Sequence, residues 1–280
     1  MASVDLPILS LLFWNMGHAP RVHILESLCH THQIDLAVIA EPPEWSESTD
    51  PACRQFLFKL SPHEGVGTQR LRLFHRSESN LTPEIFYVDD SGRLIVTEFT
   101  WNKQRFNLAT AHLMSPSRTG LDDRNTEATI IASCLRHQET SRSNSRTILM
   151  GDLNLNPFDR GVAQAAGFHG MMTKSSTHKR SRKVSGIEYP YFYNPMWGHF
   201  GDRTPGPPGT FYYRNSSHLG YDWHMLDQVL LRPEVLELAY DHVEIVDKCL
   251  DVKLVNHLGR PDRKVGSDHL PVLLTLRWKD

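Results

Sequence analysis

The four cysteines of this 280-residue chain, Cys29, Cys53, Cys134 and Cys249, form no CxxC pair. That excludes zinc ribbons and dithiol redox motifs. Scattered cysteines of this kind read as reduced thiols, so a cytoplasmic protein is expected. No HExxH or HxxxH pair falls on a helical pattern, although there are 16 histidines. Most of those imidazoles are expected on surfaces and loops. An apolar run long enough to cross a bilayer is missing. The opening "MASVDLPILSLLFWN" has no cationic flank and carries Asp5, so no secretory leader is expected. Neither charge sign dominates: 30 Lys and Arg face 32 Asp and Glu, a net charge of −2. Attraction to nucleic acid must therefore come from a local patch. There is no internal repeat.

What remains is an ordinary globular composition, 40% hydrophobic and 22% charged, in a chain long enough for a sizeable core. "LPILSLLFWN" (6–15) and "IDLAVIAE" (34–41) read as buried strands, with a helix from Pro20 to His32 between them. Residues 71–75, 84–88, 94–100 and 106–111 read as further strands separated by turns such as "DDSGR". The spacing of Ala128, Ile131 and Leu135 predicts a helix over 122–140. "RTILMGDLNLNP" (146–157) reads as a strand running into a loop. Strands at 224–231 and 270–276 follow an irregular stretch, 168–220. Alternating helices and hairpin-like strands suggest a mixed α/β sandwich.

Several apolar runs end on a residue that can hold a metal or a phosphate. They deliver Asn15, Glu41, His112, Asp152 with Asn154, Asp227, and the adjacent pair Asp268–His269. Functional groups commonly sit at strand ends of a rigid scaffold, where they converge at one edge. The donors are mainly carboxylate and amide oxygens, which suits a hard cation such as Mg²⁺ or Mn²⁺ rather than zinc. Taken singly, each has a plainer explanation. "GDLN" is a common turn composition, Asp-His before a strand is a polar turn, Glu41 before Pro42-Pro43 is a strand stop, and His112 suits a half-buried site. Their occurrence together, in order along the chain, is what carries weight.

The ordered set "WN" (14–15), "AVIAE" (37–41), "AHL" (111–113), "GDLN" (151–154), "LDQVL" (226–230) and "SDHLPV" (267–272) resembles the endonuclease/exonuclease/phosphatase, or deoxyribonuclease-I-like, superfamily. "GDLN" and "SDHLPV" are its most specific parts. The resemblance spans residues 9–276 and implies one domain over 1–280. Its expected fold is an α/β (α+β) four-layer sandwich, two packed mixed sheets flanked by helices, with a Mg²⁺- or Mn²⁺-dependent site at one edge. By motif, Glu41 and Asp268 resemble metal ligands, with Asn15 beside them. His269 resembles the residue that activates water or contacts the scissile phosphate, and Asp227 the carboxylate that orients it. Asp152 and Asn154 resemble the pair that positions the nucleophile. His112 resembles the second histidine of the deoxyribonuclease branch. Which group takes the proton is left open.

Two positions depart from the abasic-site endonucleases. Gly17 stands where many of them carry an acid, and "AEPP" replaces "QET" around the metal glutamate. Both argue against a close abasic-site repair enzyme. In the 168–220 insert, Lys174, Lys179, Arg180, Arg182 and Lys183 suit a phosphate backbone, while Tyr189, Tyr191, Phe192, Tyr193 and Trp197 suit stacked bases. The plainer alternative is a solvated basic loop followed by aromatics that cover a sheet edge. Arg118 and Arg124, after the "AHL" strand, are further candidates for phosphate contact. The expectation is thus a metal-dependent nuclease acting on DNA. Two alternatives stay open: a phosphatase or phosphodiesterase of a small molecule or lipid headgroup, and a silent relative that binds nucleic acid.

Overall fold

The computed structural model describes residues 6–45, 57–60 (backbone only), 70–76, 78–214, 216, 218 and 220–279. Cys53 lies outside them. Two large mixed sheets form the body. The first runs, edge to edge, through Tyr240–Ile245, Val272–Arg277, Ile8–Asn15, Leu36–Ala40, Leu71–Arg76 and Leu57–Leu60. The second runs through Glu84–Val88, Leu94–Trp101, Gln104–His112, Thr147–Asp152, Asp227–Leu231, Phe192–Tyr193 and Gly170–Met171.

Each sheet contains a parallel pair joined by a crossover helix, and the second sheet has another short parallel pair at its edge. Ile8–Asn15 pairs with Leu36–Ala40 through helix Val22–Thr31, and Gln104–His112 pairs with Thr147–Asp152 through helix Leu121–Ser141. Parallel strands need such a crossover, which covers the sheet's outer face. This is why the strands read as unbroken apolar runs. Along Thr147–Asp152, Ile148 and Met150 enter the core between the sheets, whereas Leu149 faces the cluster under the long helix with Ala128, Ile131 and Leu135. The period is two, but both faces are apolar.

The expected helices at 20–32 and 122–140 are present as Val22–Thr31 and Leu121–Ser141. The strand expected at 224–231 is broken. Trp223–His224 pairs with Phe211–Tyr212, and only Asp227–Leu231 enters the large sheet. Between them, the carbonyl of Leu226 accepts the amide of Leu153, and the Thr210 hydroxyl oxygen accepts the amide of Asp227. The insert is mostly ordered. Phe192–Tyr193 and Gly170–Met171 extend the second sheet, and Ser181–Val184 with Ile187–Pro190 forms a separate hairpin. Among the described residues no helix is long and apolar enough to cross a membrane.

His169 is fully buried against Tyr191, with ring centroids 4.3 Å apart. Burial, reinforced by the charges of Arg182 and Arg232, lowers its pKa from 6.5 to about 4. The folded protein therefore holds this imidazole neutral where the unfolded chain would protonate it. Stability should be full above pH 6.5 and fall as pH drops from 6.5 to 4, by up to about 1.4 kcal/mol per unit for one proton. His169 has a φ of +57°, a conformation asparagine tolerates. Denaturant melts of wild type and His169→Asn across this range should show that slope in wild type and its loss in the variant.

Candidate active site

The parallel and antiparallel registers set His112, Asp152 and Asp227 in one row across three adjacent strands: His112 is opposite Asp152, and Asp152 opposite Asp227. The glycine of "GDLN" makes this row close. A Cβ on Gly151 would lie 2.0 Å from the carbonyl oxygen of Ala111, so a side chain there would force the two strands apart. In the first sheet, Asn15 is in register with Ala40, and Glu41 follows it. The two sheets therefore bring their polar strand ends to the same edge. There the Asn15 amide donates to Asp152 Oδ2 at 2.9 Å, and Trp14 Nε1 donates to the carbonyl of His269 at 3.0 Å.

His269 Nδ1 donates to Asp227 Oδ2 at 2.8 Å, and both residues are buried. Burial opposes the charged imidazole. The Asp227 carboxylate, hydrogen-bonded to it, outweighs that opposition, helped by Asp152 and Asp268, and raises the pKa from 6.5 to about 10. The same burial pushes the Asp227 carboxyl up, against the pull of His269, so the two groups titrate as a pair. Asp152 is doubly anchored: its Oδ1 accepts the amide of Asn154 at 2.9 Å while Oδ2 accepts Asn15. Asn154 in turn donates to the carbonyl of Leu113 at 3.0 Å.

Glu41 has a different character. It is 32% exposed at its side chain and lies 3.4 Å from His112 Nε2 and 3.7 Å from His18 Nε2. His112, with the charges of His269 and His18, outweighs burial and lowers its pKa to about 2. Glu41 (φ +45°) and Asn154 (φ +48°) both adopt the left-handed conformation. Such strain in non-glycine residues is held by surrounding structure and clusters at functional sites. Asp268 completes the acidic edge, with Ser267 Oγ donating to its Oδ1 and Arg263 at 3.1 Å from Oδ2.

Donor atoms of Asp152, Asp227 and His269 lie within 4.8 Å of one another, a spacing a cation could use. Within that cluster His269 Nδ1 is engaged with Asp227 Oδ2, while Asp227 Oδ1 is buried without a hydrogen-bond partner. Glu41 and Asp268 add further carboxylate oxygens, with Asp152 between the sheets. This all-oxygen set fits Mg²⁺ or Mn²⁺. Asn15, expected beside the metal, has its amide engaged elsewhere: Nδ2 to Asp152, and Oδ1 accepting the amide of Gly17 at 2.9 Å. The bond from Nδ2 ties Asn15 to Asp152, and Oδ1 keeps a second lone pair.

All eight motif residues meet at this edge, and Glu41, His112, Asp152, Asn154, Asp268 and His269 line a cleft of about 1560 Å³. Arg118 and Arg124 line it too. Lys179, Arg180, Arg182, Lys183, Tyr193 and Trp197 do not. Strand direction is the reason: Asp227 is at the cleft end of Asp227–Leu231, whereas Tyr193 pairs with Leu231 at the other end. The basic hairpin hangs from that far end, where Arg232 donates to the carbonyls of Pro190 and Tyr191. Arg180 is paired with Glu234 and Glu237. Tyr191 and Phe192 are buried, and Trp197 packs on Phe158 and Phe200. Sequence reasoning missed Arg70, Arg93, Phe211, His224 and Arg263 in the cleft lining. Only Arg93, in "DDSGR", had a recognisable turn as its signal.

The chain matches no family model and no curated protein. It does match solved structures. The human Nocturnin catalytic domain with bound sulfate anion is 15% identical, with a TM-score of 0.58 over 99% of this chain and 97% of that one. D. rerio TDP2 complexed with single strand DNA product is 16% identical, with a TM-score of 0.57 over 96% and 99%. The endonuclease domain of TRAS1, a telomere-specific non-LTR retrotransposon, is 13% identical, with a TM-score of 0.51 over 97% and 100%.

The Asp227–His269 bond can be tested directly. In metal-free protein, NMR should show the His269 ring protonated past neutrality in wild type. In Asp227→Asn its pKa should fall, because the group that chiefly opposes burial is gone and only Asp152 and Asp268 remain to favour the charged ring. An unchanged titration would show that Asp227 does not control the ring. Two packed mixed sheets, flanking crossover helices and matches across nearly the whole length identify the architecture: the chain has the deoxyribonuclease-I-like fold of the endonuclease/exonuclease/phosphatase superfamily.

Proposed function

We propose that the protein is a divalent-metal-dependent phosphodiester hydrolase acting on nucleic acid, with DNA as the favoured substrate. The observation that carries this reading is a buried imidazole bonded to a buried carboxyl group at 2.8 Å, facing the same cleft as a cluster of carboxylate oxygen donors. The first is built to meet a phosphate, the second a hard cation. Attack on a phosphodiester needs an oriented water, neutralised charge on phosphorus, and help for the leaving oxygen. Glu41 and Asp268 are the residues that would hold Mg²⁺ or Mn²⁺, which supplies charge neutralisation and orientation when bound.

The other parts belong to the chain. His269, as an imidazolium, donates from Nε2 to a phosphoryl oxygen and stabilises charge that grows in the transition state. A protonated ring cannot accept a proton from water. That leaves Asp152, fixed by Asn15 and Asn154, as the group that orients and deprotonates the attacking water. His112, 3.4 Å from Glu41 and 3.7 Å from Asp152, bridges the two carboxylates and is placed to contact phosphate. Arg118 and Arg124 add positive charge along the cleft.

Cleft size supports a polymer over a small phosphate ester. The volume of about 1560 Å³ exceeds the roughly 300–1,000 Å³ of ordinary small-molecule pockets. The D. rerio TDP2 match, described with a single strand DNA product, points the same way.

Single-stranded and duplex oligonucleotides incubated with Mg²⁺ should be cleaved, and excess chelator should abolish cleavage. Asp227→Asn should lower kcat by about 10²-fold or more while leaving the Mg²⁺ requirement nearly unchanged, because it acts through His269. Glu41→Gln should instead raise the Mg²⁺ concentration needed. If the two variants shared one metal dependence, this division of roles would be wrong; if cleavage survived the chelator, so would the metal assignment.

A further inference from the structure

Asp268 is the acidic group of the site most open to change, because each of its oxygens has a different fate. Oδ1 accepts the Ser267 hydroxyl at 3.2 Å and abuts Gly17, where a Cβ would sit 3.0 Å from it. On Oδ2 the guanidinium of Arg263 lies at 3.1 Å. A divalent cation approaching Asp268 from the cleft meets the oxygen that Arg263 already holds.

The backbone that carries Arg263 is fixed on both sides. Val255 bridges to Pro261, and the amide of Asp262 donates to the carbonyl of Leu254 at 2.9 Å. Asn256 Oδ1 accepts the amides of Leu258 and Arg260, and Asp262 Oδ1 accepts that of Lys264. The amide of Gly266 donates back to the carbonyl of Asp262 at 2.8 Å, and Arg21 holds the carbonyl of Lys264. Of the neighbouring cations, Arg260 is occupied over the Tyr212 ring at 4.0 Å. The Arg263 side chain, by contrast, is 77% exposed and lines the cleft. Its root is anchored and its head is free to swing, with only an exposed ion pair to hold it, an interaction worth little in water.

We propose that Arg263 is a substrate-contact residue that occupies Asp268 in place of the divalent cation and is released toward the substrate phosphate when the cation binds. This rests on the metal-dependent reading above and adds a specific consequence to it. Loading of the cation and capture of the phosphate are coupled, because one event frees the group that performs the other. Guanidinium suits both partners, since its fork matches a carboxylate and a phosphate equally. The site also starts from a lower negative charge. Arg263 neutralises one of its carboxylates until the cation arrives.

The test uses the full chain, stripped of metal, and measures Mn²⁺ binding by electron paramagnetic resonance without substrate. Arg263→Gln should bind Mn²⁺ about two- to fivefold more tightly than wild type, the range an exposed ion pair can exchange. Its KM for a single-stranded oligonucleotide should rise about tenfold with kcat little changed. Arg263→Lys, which keeps the charge but loses the fork, should match wild type in Mn²⁺ affinity and still show a raised KM. Equal or weaker Mn²⁺ binding by Arg263→Gln, or an unchanged KM, would overturn the proposal. Absence of Mn²⁺ binding by wild type and variants alike would instead overturn the metal-dependent reading, and this proposal with it.

Discussion

Asn15 donates its side-chain amide to Asp152 across the gap between two sheets, in a place where neither group is exposed to water. Each residue is the polar end of an apolar strand, and each sheet would expose or strand its own polar end without the other. An unpartnered carboxylate at this depth would be strongly unfavourable, so the register of one sheet fixes that of the other at this edge. Trp14, the residue before Asn15, makes a second tie to the His269 carbonyl. The dyad, the acidic edge and the cleft all take their positions from this joint. The site is therefore a property of sheet packing rather than of any one loop.

Charge in the site is organised by depth. Innermost, Asp227 and His269 form a buried pair, in which the carboxyl group orients the ring and favours its charged form. One step outward, Asp152 is held by neutral amides from Asn15 and Asn154. Outermost, Glu41 lies beside two imidazoles, and Asp268 beside the Ser267 hydroxyl and an exposed guanidinium. Going outward, the donors become more exposed. The proposed function uses this gradient: a cation at the rim of the acidic edge and a phosphate at the imidazole beneath it.

Much of this was legible in the chain. Apolar runs give strands, and a polar residue closing each run marks a strand end, so Asn15, Glu41, His112, Asp152 and Asp227 stood out. Two crossover helices were visible from their spacing. What local pattern could not carry was the pairing between distant elements. Nothing in "HKRSRK" says that its hairpin leaves from the far end of the Asp227–Leu231 strand, so its lysines and arginines read as a phosphate track although they lie away from the cleft. Nothing near Arg263 says that the four residues after it return it to Asp268. The chance of finding it depended on the fold of Asn256 through Gly266, where backbone hydrogen bonds, not apolar periodicity, set direction. Phe211 and His224 were hidden for the same reason: they come from two-residue strands too short to show a period.

The most direct measurement of the account is isotopic. A single-stranded oligonucleotide is cleaved in Mg²⁺-containing water enriched in ¹⁸O, by wild type and by Asp152→Asn, and the new phosphate ends are analysed by mass spectrometry. If the site hydrolyses phosphodiesters through a water that Asp152 prepares, wild type places one ¹⁸O atom in each new phosphate, and the variant produces almost no ends. No cleavage by wild type, label absent from the phosphate, or equal cleavage by the variant would contradict it.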